Sequence, residues 1–393
     1  MLKKKICLVV QRYGLEVNGG AELQCRQFAE HLKEIYEVHV ATTKAIDYMT
    51  WRDEYAEDIE EINGVTVRRF GVDHTREKSM FDRINGRFLQ NGLSTSEEYE
   101  WIEKQGPMSS KLVEYLEKSV DDYAVFIFFT YLYYPTVMGL PKVKEKAILV
   151  PEAHDEPYMN MGIIQKIFYE PRALFFNTEE ERQFVHEKFH NEGIPSEIGG
   201  VGIELPQDIS AQRFKEKYNL DKYIIYVGRI DEGKNCQELF DYFIEYKKRN
   251  QNDLQLVLIG RPVIPIPCNQ DIISLGFVSD EDKFDGICGA EILILPSRYE
   301  SLSMVVLEAM SLKTPVIVNG ECQVLKGHCI HSNGGLYYND YFEFEGEVNY
   351  LVSNTIQRDL MVQNAKRYVD ENYQWSIITD RLKELIERIG DQL

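Results

Sequence analysis

Short apolar runs alternate with amphipathic stretches along most of this chain. The runs at 5–10, 38–41, 65–70, 125–129, 147–150 and 174–177 recur after a break as 223–227, 254–259, 272–276, 292–295 and 315–318. Most are short and largely apolar, which predicts parallel strands buried on both faces. Between them the period changes. Ala21, Cys25, Phe28, Leu32 and Ile35 follow steps of four and three and predict a helix. Further helices are expected at 108–121, 234–248, 304–312, 343–353, 355–371 and 375–390, with Thr178 and Glu181 forming a capping box and Ser279 capping the segment SDEDK. The alternation predicts an α/β architecture, and the Gly-rich stretch GGVGIELP at 199–206 separates two such halves.

Residues 73–107 interrupt the rhythm. Arg76, Lys78, Arg83 and Arg87 are mixed there with Met80, Phe81, Phe88 and Leu89. Two readings stand: a solvated helix packed on the domain, or an amphipathic surface facing a membrane or an acceptor molecule.

Composition narrows the field. A chain of 393 residues, 44% hydrophobic and 27% charged, has the make-up of a globular protein of two or three domains. Its net charge of −20 disfavours nucleic acid as a partner and general adsorption to an acidic membrane. Seven cysteines without a CxxC pair indicate neither a disulfide framework nor a structural zinc site. The N-terminal MLKKKICLVV meets Gln11 and Arg12 too soon for a signal peptide, and no run approaches the roughly 20 apolar residues of a membrane span. A cytoplasmic protein, or one peripheral to the inner face of the membrane, is expected.

The chemistry concentrates at predicted strand ends. In CGAEILILPSRYESLSMVVLEAMSLKTPVIVNG, residues 288–320, Glu300 lies on the loop after a strand and Glu308 lies on the following helix. Ser301 or Ser303 is expected to cap that helix, whose first N–H groups suit an anion. Arg229 and Lys234 sit in the GRIDEGKN loop at another helix start, where basic side chains are unfavourable unless an anion such as a diphosphate is bound. Gly19 and Gly20 join the first strand to its helix. They let the backbone approach a ligand or make a bare turn, and the pattern is not GxGxxG. His154 and Asp155 follow the strand at 147–150, and the aromatic group TYLYYP follows that at 125–129, either to stack on a sugar or to pack in the core. The sheet edges are read as carrying no Asp-x-Asp metal motif.

PSRYESLSMVVLEAMSLKTPVIV, with YVGRIDEGKN, LGFVSDEDK, NGGAEL and GGLYY in register across both halves, resembles the Glu-x7-Glu signature of GT-B glycosyltransferases often called family 4. The resemblance implies two Rossmann-like domains facing each other across a cleft. Residues 1–200 would bind the acceptor and 201–372 the nucleotide-sugar donor, while a helix at 373–393 returns to the N-terminal domain. It implies a retaining, metal-independent hexosyltransferase, active in polysaccharide or glycoconjugate synthesis and using a UDP- or GDP-sugar as donor substrate with no other cofactor. The acceptor would be a saccharide or lipid-linked saccharide. His154, Glu300, Arg229 and Lys234 would be catalytic, with Gly19, Gly20, Gly228, Ser301, Leu302, Ser303 and Glu308 around the donor and Glu308 on the ribose. Ser301, Ser303 and Lys313 depart from the family's usual glycines. A catalytically silent GT-B partner that stabilises another transferase is the alternative.

Overall fold

A computed structural model describes residues 3–17 and 19–390. The chain divides into two units, Met1–Val201 with Trp375–Leu393, and Gly202–Gln374. The crossings therefore fall one residue after 200 and two residues after 372.

The strands of the first unit are β1 (Lys5–Val9), β2 (Glu37–Thr43), β3 (Ile59–Ile62), β4 (Val65–Phe70), β5 (Val125–Phe129), β6 (Ala147–Val150), β7 (Ala173–Phe176) and β8 (Ser196–Ile198). They form one sheet in the order β3-β4-β2-β1-β5-β6-β7-β8. All pairs are parallel except β3–β4, a hairpin closed by Asn63 and Gly64, both at positive φ. Strand β3 escaped the sequence reading because its residues, IEEI, are mostly exposed and polar. Strands β1, β5, β6 and β7 are almost wholly buried, as continuous apolar runs between two helical layers must be.

Residues 73–107 form two helices, Lys78–Asn91 and Thr95–Gln105. Ile84, Trp101 and Ile102 are buried in the core of this unit, with Phe81 and Phe88 packed against it. That places these helices on the domain. Among the described residues no helix is long and apolar enough to cross a membrane. The final helix, Trp375–Gly390, also belongs to this unit, where Trp375 stacks on His31 at 4.1 Å and meets the edge of Phe28 at 5.2 Å.

The second unit contains β9 (Tyr223–Val227), β10 (Gln255–Ile259), β11 (Ile272–Gly276), β12 (Ile292–Leu295), β13 (Val316–Asn319) and β14 (Leu336–Tyr338). Its sheet runs β11-β10-β9-β12-β13-β14 and is parallel throughout. Strand order reverses direction between β9 and β12 here, and between β1 and β5 in the first unit. The connecting helices leave to opposite faces at such a point, so the loops after those strands part and leave a crevice at the carboxyl edge.

Candidate active site

In the second unit, the loops after β9 and β12 border this crevice. Glycine is required where the first begins. The backbone of Gly228 passes so close to Gly260, after β10, that a Cβ on Gly260 would lie 1.8 Å from the Gly228 carbonyl oxygen, and both have positive φ. Arg229 follows and pairs with Asp231, whose other oxygen accepts the Lys234 N–H at 2.8 Å. Lys234 then reaches across to the β12 loop, where its Nζ donates to Glu300 Oε1 at 2.6 Å. The sequence separates these two residues widely; the sheet makes them neighbours.

This geometry corrects the electrostatic argument from sequence. Helix Cys236–Arg249 starts beyond Lys234, behind Asn235 in the left-handed region, and both cations already have carboxylate partners. No bound diphosphate is needed to explain their position. Arg229 remains half exposed at its side chain, and Lys234 is about one-third exposed.

The β12 loop ends at helix Met304–Ser311, and its N-cap, Ser303, has φ 68°. The expected side-chain cap is absent: the Ser303 hydroxyl makes no hydrogen bond although it is buried. A residue with a Cβ pays about 1 to 2 kcal/mol for this backbone region, which explains why glycine suits the position. Lys313, the other departure, likewise sits at positive φ, just past the helix end. Leu302 is buried and Ser301 lies partly buried beside it.

Glu308, one turn into the helix, accepts from Lys283 Nζ at 2.9 Å. Burial pushes its carboxyl above the ordinary value, and the Lys283 ammonium pulls the other way. The two glutamates thus have separate lysines. One Asp-x-Asp spacing does occur near this edge, at Asp280 and Asp282 in the first turn of helix Asp280–Gly289, contrary to the sequence reading. Both Asp282 oxygens accept from Lys217 at 2.8 Å, and Ser279 bonds it as well. Among the described residues no three of His, Cys, Asp and Glu group as metal ligands.

In the first unit His154 and Asp155 both lie on the loop after β6. His154 Nε2 lies 3.6 Å from Glu156, while the largely exposed Asp155 turns to Lys188 at 3.8 Å. The loop that carries them is held from behind. Glu181 accepts the Ala153 N–H at 2.6 Å and the Asn177 N–H at 2.7 Å, and burial first of all pushes its carboxyl up to about 8. Gly19 has extended backbone, and a Cβ there would meet Glu22 Oε2 at 2.0 Å, so its crowding comes from the chain itself; Gly20 faces open space. Of the TYLYYP group, Tyr131 is buried, donates to Glu156 and packs on Phe168, whereas Tyr133 stays partly exposed against Trp51.

Residues 208–368 match the family model described as Glycosyl transferases group 1. That stretch is similar to the group 1 glycosyltransferases. An uncharacterised glycosyltransferase of Methanocaldococcus jannaschii is 26% identical over 390 residues, covering 95% of each chain. The chain also shares its GT-B fold with sucrose-phosphate synthase from Thermosynechococcus elongatus, at a TM-score of 0.71 and 15% identity over the whole of both chains. Anabaena HepE, in complex with UDP and glucose, superposes with a TM-score of 0.69 at 12% identity, covering 98% of this chain and 100% of its own.

Three residues near these loops escaped the sequence reading. Lys283 ends the quoted stretch LGFVSDEDK, so its position was in view but its partner was not. His328, on helix Gln323–Ser332, is buried; its Nε2 lies 2.7 Å from the Leu302 carbonyl oxygen and its Nδ1 lies 3.0 Å from the Tyr368 hydroxyl. A carbonyl only accepts, so Nε2 carries the proton, and in the neutral ring Nδ1 accepts from Tyr368. Burial pulls His328 down to about 4, which keeps it in that neutral form. His328 and Tyr368 thereby fix the β12 loop from behind, at the residue before the strained Ser303.

Proposed function

We propose that this transferase moves a hexose-type sugar from a nucleoside-diphosphate sugar, UDP- or GDP-linked, to a hydroxyl of a saccharide or lipid-linked saccharide, with retention of configuration and without a metal ion. The second unit takes the donor and the first takes the acceptor. The observation that carries this reading is the Lys234–Glu300 contact at the point where strand order reverses. It brings a cation and a hydroxyl-binding carboxylate to one crevice edge. The complex of HepE with UDP and glucose supports a nucleoside diphosphate as the donor's leaving group.

On donor binding the Lys234–Glu300 pair opens. Lys234 and Arg229 turn to the diphosphate, whose negative charge grows as the glycosidic bond breaks, and stabilise it as fixed cations do in a water-poor site. Gly228 brings backbone close to the same phosphates, and Ser301 to Ser303 present N–H groups and hydroxyls to them. Glu300 accepts from sugar hydroxyls and Glu308 from the ribose. The acceptor oxygen attacks from the face the diphosphate leaves, its proton passing to the departing phosphate oxygen. His154, in the first unit, donates to a sugar hydroxyl or phosphate oxygen.

The test is a transfer assay that pairs UDP-, GDP-, dTDP- and ADP-sugars with saccharide and lipid-linked acceptors, run with and without excess EDTA. One donor should give a transferred sugar of retained configuration at an undiminished rate in EDTA. Loss of transfer in EDTA, restored by magnesium or manganese, overturns the metal-free mechanism; hydrolysis or isomerisation of the donor without transfer overturns the activity.

A further inference from the structure

Arg76 lies between β4 and helix Lys78–Asn91, partly buried, and no described carboxylate comes within ion-pairing distance of it. Four other arginines of the first unit have carboxylate partners: Arg12 pairs with Glu22, Arg69 with Glu60, Arg87 with Glu97 and Arg182 with Glu179. The carboxylate of Asp82 bears on the charge of Arg76 but is itself held by Lys78 at 2.6 Å. Among the described residues the guanidinium uses one of its five donors, to Gln105 Oε1 at 2.8 Å, and lies 4.0 Å over the Phe81 ring. Burial pulls it below the ordinary arginine value, which marks a cation stripped of water without an anion in return.

Its surroundings suit a ligand. The phenols of Tyr133, Tyr158 and Tyr48 lie within electrostatic range of it. Tyr133 follows β5 at the crevice edge of the first unit, its ring 5.6 Å from Trp51, and Tyr158 rests on Trp101 at 5.1 Å. Both are partly exposed, and Tyr48 is exposed. A planar cation beside partly exposed aromatic rings can grip an anionic group with two parallel hydrogen bonds while the rings receive an attached sugar. A chain of net charge −20 repels anions at a distance, so a local cation is what an anionic acceptor requires.

We propose that Arg76 anchors an anionic group of the acceptor, a phosphate or a carboxylate, with Tyr133 and Tyr158 flanking the sugar that bears it. This rests on the reading that the first unit takes the acceptor.

Calorimetry on the full chain with glucose 6-phosphate, glucuronate and glucose tests it, using wild type, Arg76→Gln, Arg76→Lys and Arg229→Gln. One anion should bind wild type and Arg229→Gln alike and bind Arg76→Gln about tenfold more weakly, with a smaller loss for Arg76→Lys. Glucose should show no dependence on Arg76. The anion that responds decides between phosphate and carboxylate. If Arg76→Gln does not fold, Arg76→Lys carries the comparison, because the single-point ammonium loses the two-pronged grip while keeping the charge. No binding of either anion to wild type, equal affinity in all Arg76 variants, or an affinity that follows Arg229 overturns the proposal. UDP and GDP titrations on the same proteins separate the two readings: nucleotide binding should survive Arg76→Gln, and its absence from wild type would fail the donor assignment without touching the anion result.

Discussion

Glu300 and Glu308 share a loop and a helix but face different lysines, and this gives them separable roles. An ionised carboxylate only accepts, and hydrogen bonds to charged groups contribute about 1.5 to 3 kcal/mol. Glu308→Gln should weaken the free nucleoside diphosphate and the complete donor by the same factor. Glu300→Gln should weaken only ligands that carry the sugar. Calorimetry with both ligands decides, and equal losses for the two ligands in Glu300→Gln would place that residue at the wrong end of the donor. Ser303 belongs to the same scale. Its left-handed backbone and unbonded buried hydroxyl are both unfavourable in the protein by itself, a combination found where a ligand completes a site.

At the scale of an element, helix Gln323–Ser332 positions the β12 loop through His328. The ring stays neutral in the folded chain, with its value near 4 against 6.5 for the unperturbed group. Between those values the unfolded chain binds the proton and the folded chain does not, so stability rises with pH across that window and is lost as pH falls through it. At about 1.4 kcal/mol per pH unit the full effect is roughly 3 kcal/mol. Urea unfolding at pH 4, 5 and 7 should show this slope in the wild type and a reduced slope in His328→Gln, whose amide can still donate to Leu302. An unchanged slope would show that other groups, among them the carboxylates, set the acid sensitivity. Glu181 works in the opposite direction, since a carboxyl raised to about 8 favours the folded state less as pH rises from its ordinary value.

For the whole molecule, the C-terminal helix is the last segment in sequence but belongs to the unit that contains β1. Trp375 is its anchor, nearly buried against Phe28 and His31. Trp375→Ala should cost about 3 to 5 kcal/mol in the first unit. Hydrogen exchange by mass spectrometry should then accelerate in β7, β8 and helix Gly20–Leu32 more than in β9, β10 and β12. An equal acceleration in both units would mean that the chain unfolds as one cooperative body.

Periodicity alone determined most of the strands and the two-fold α/β division, because a strand buried on both faces must be apolar at every position and a helix on one stripe only. It missed β3, which carries two glutamates on an edge, and β8 and β14, which are only three residues long. The motif residues were legible as types at strand ends: Arg229 and Lys234 in one loop, Glu300 and Glu308 after another. Their pairing was not, since which loops become neighbours depends on strand order, and the separation of 66 positions from Lys234 to Glu300 says nothing of it. Only the tertiary structure could place β9 beside β12, set His154 near Glu156, and bring His328 behind Leu302. A polar side chain declares its chemistry in the sequence, but its partner is chosen by burial and sheet order, which are properties of the folded chain.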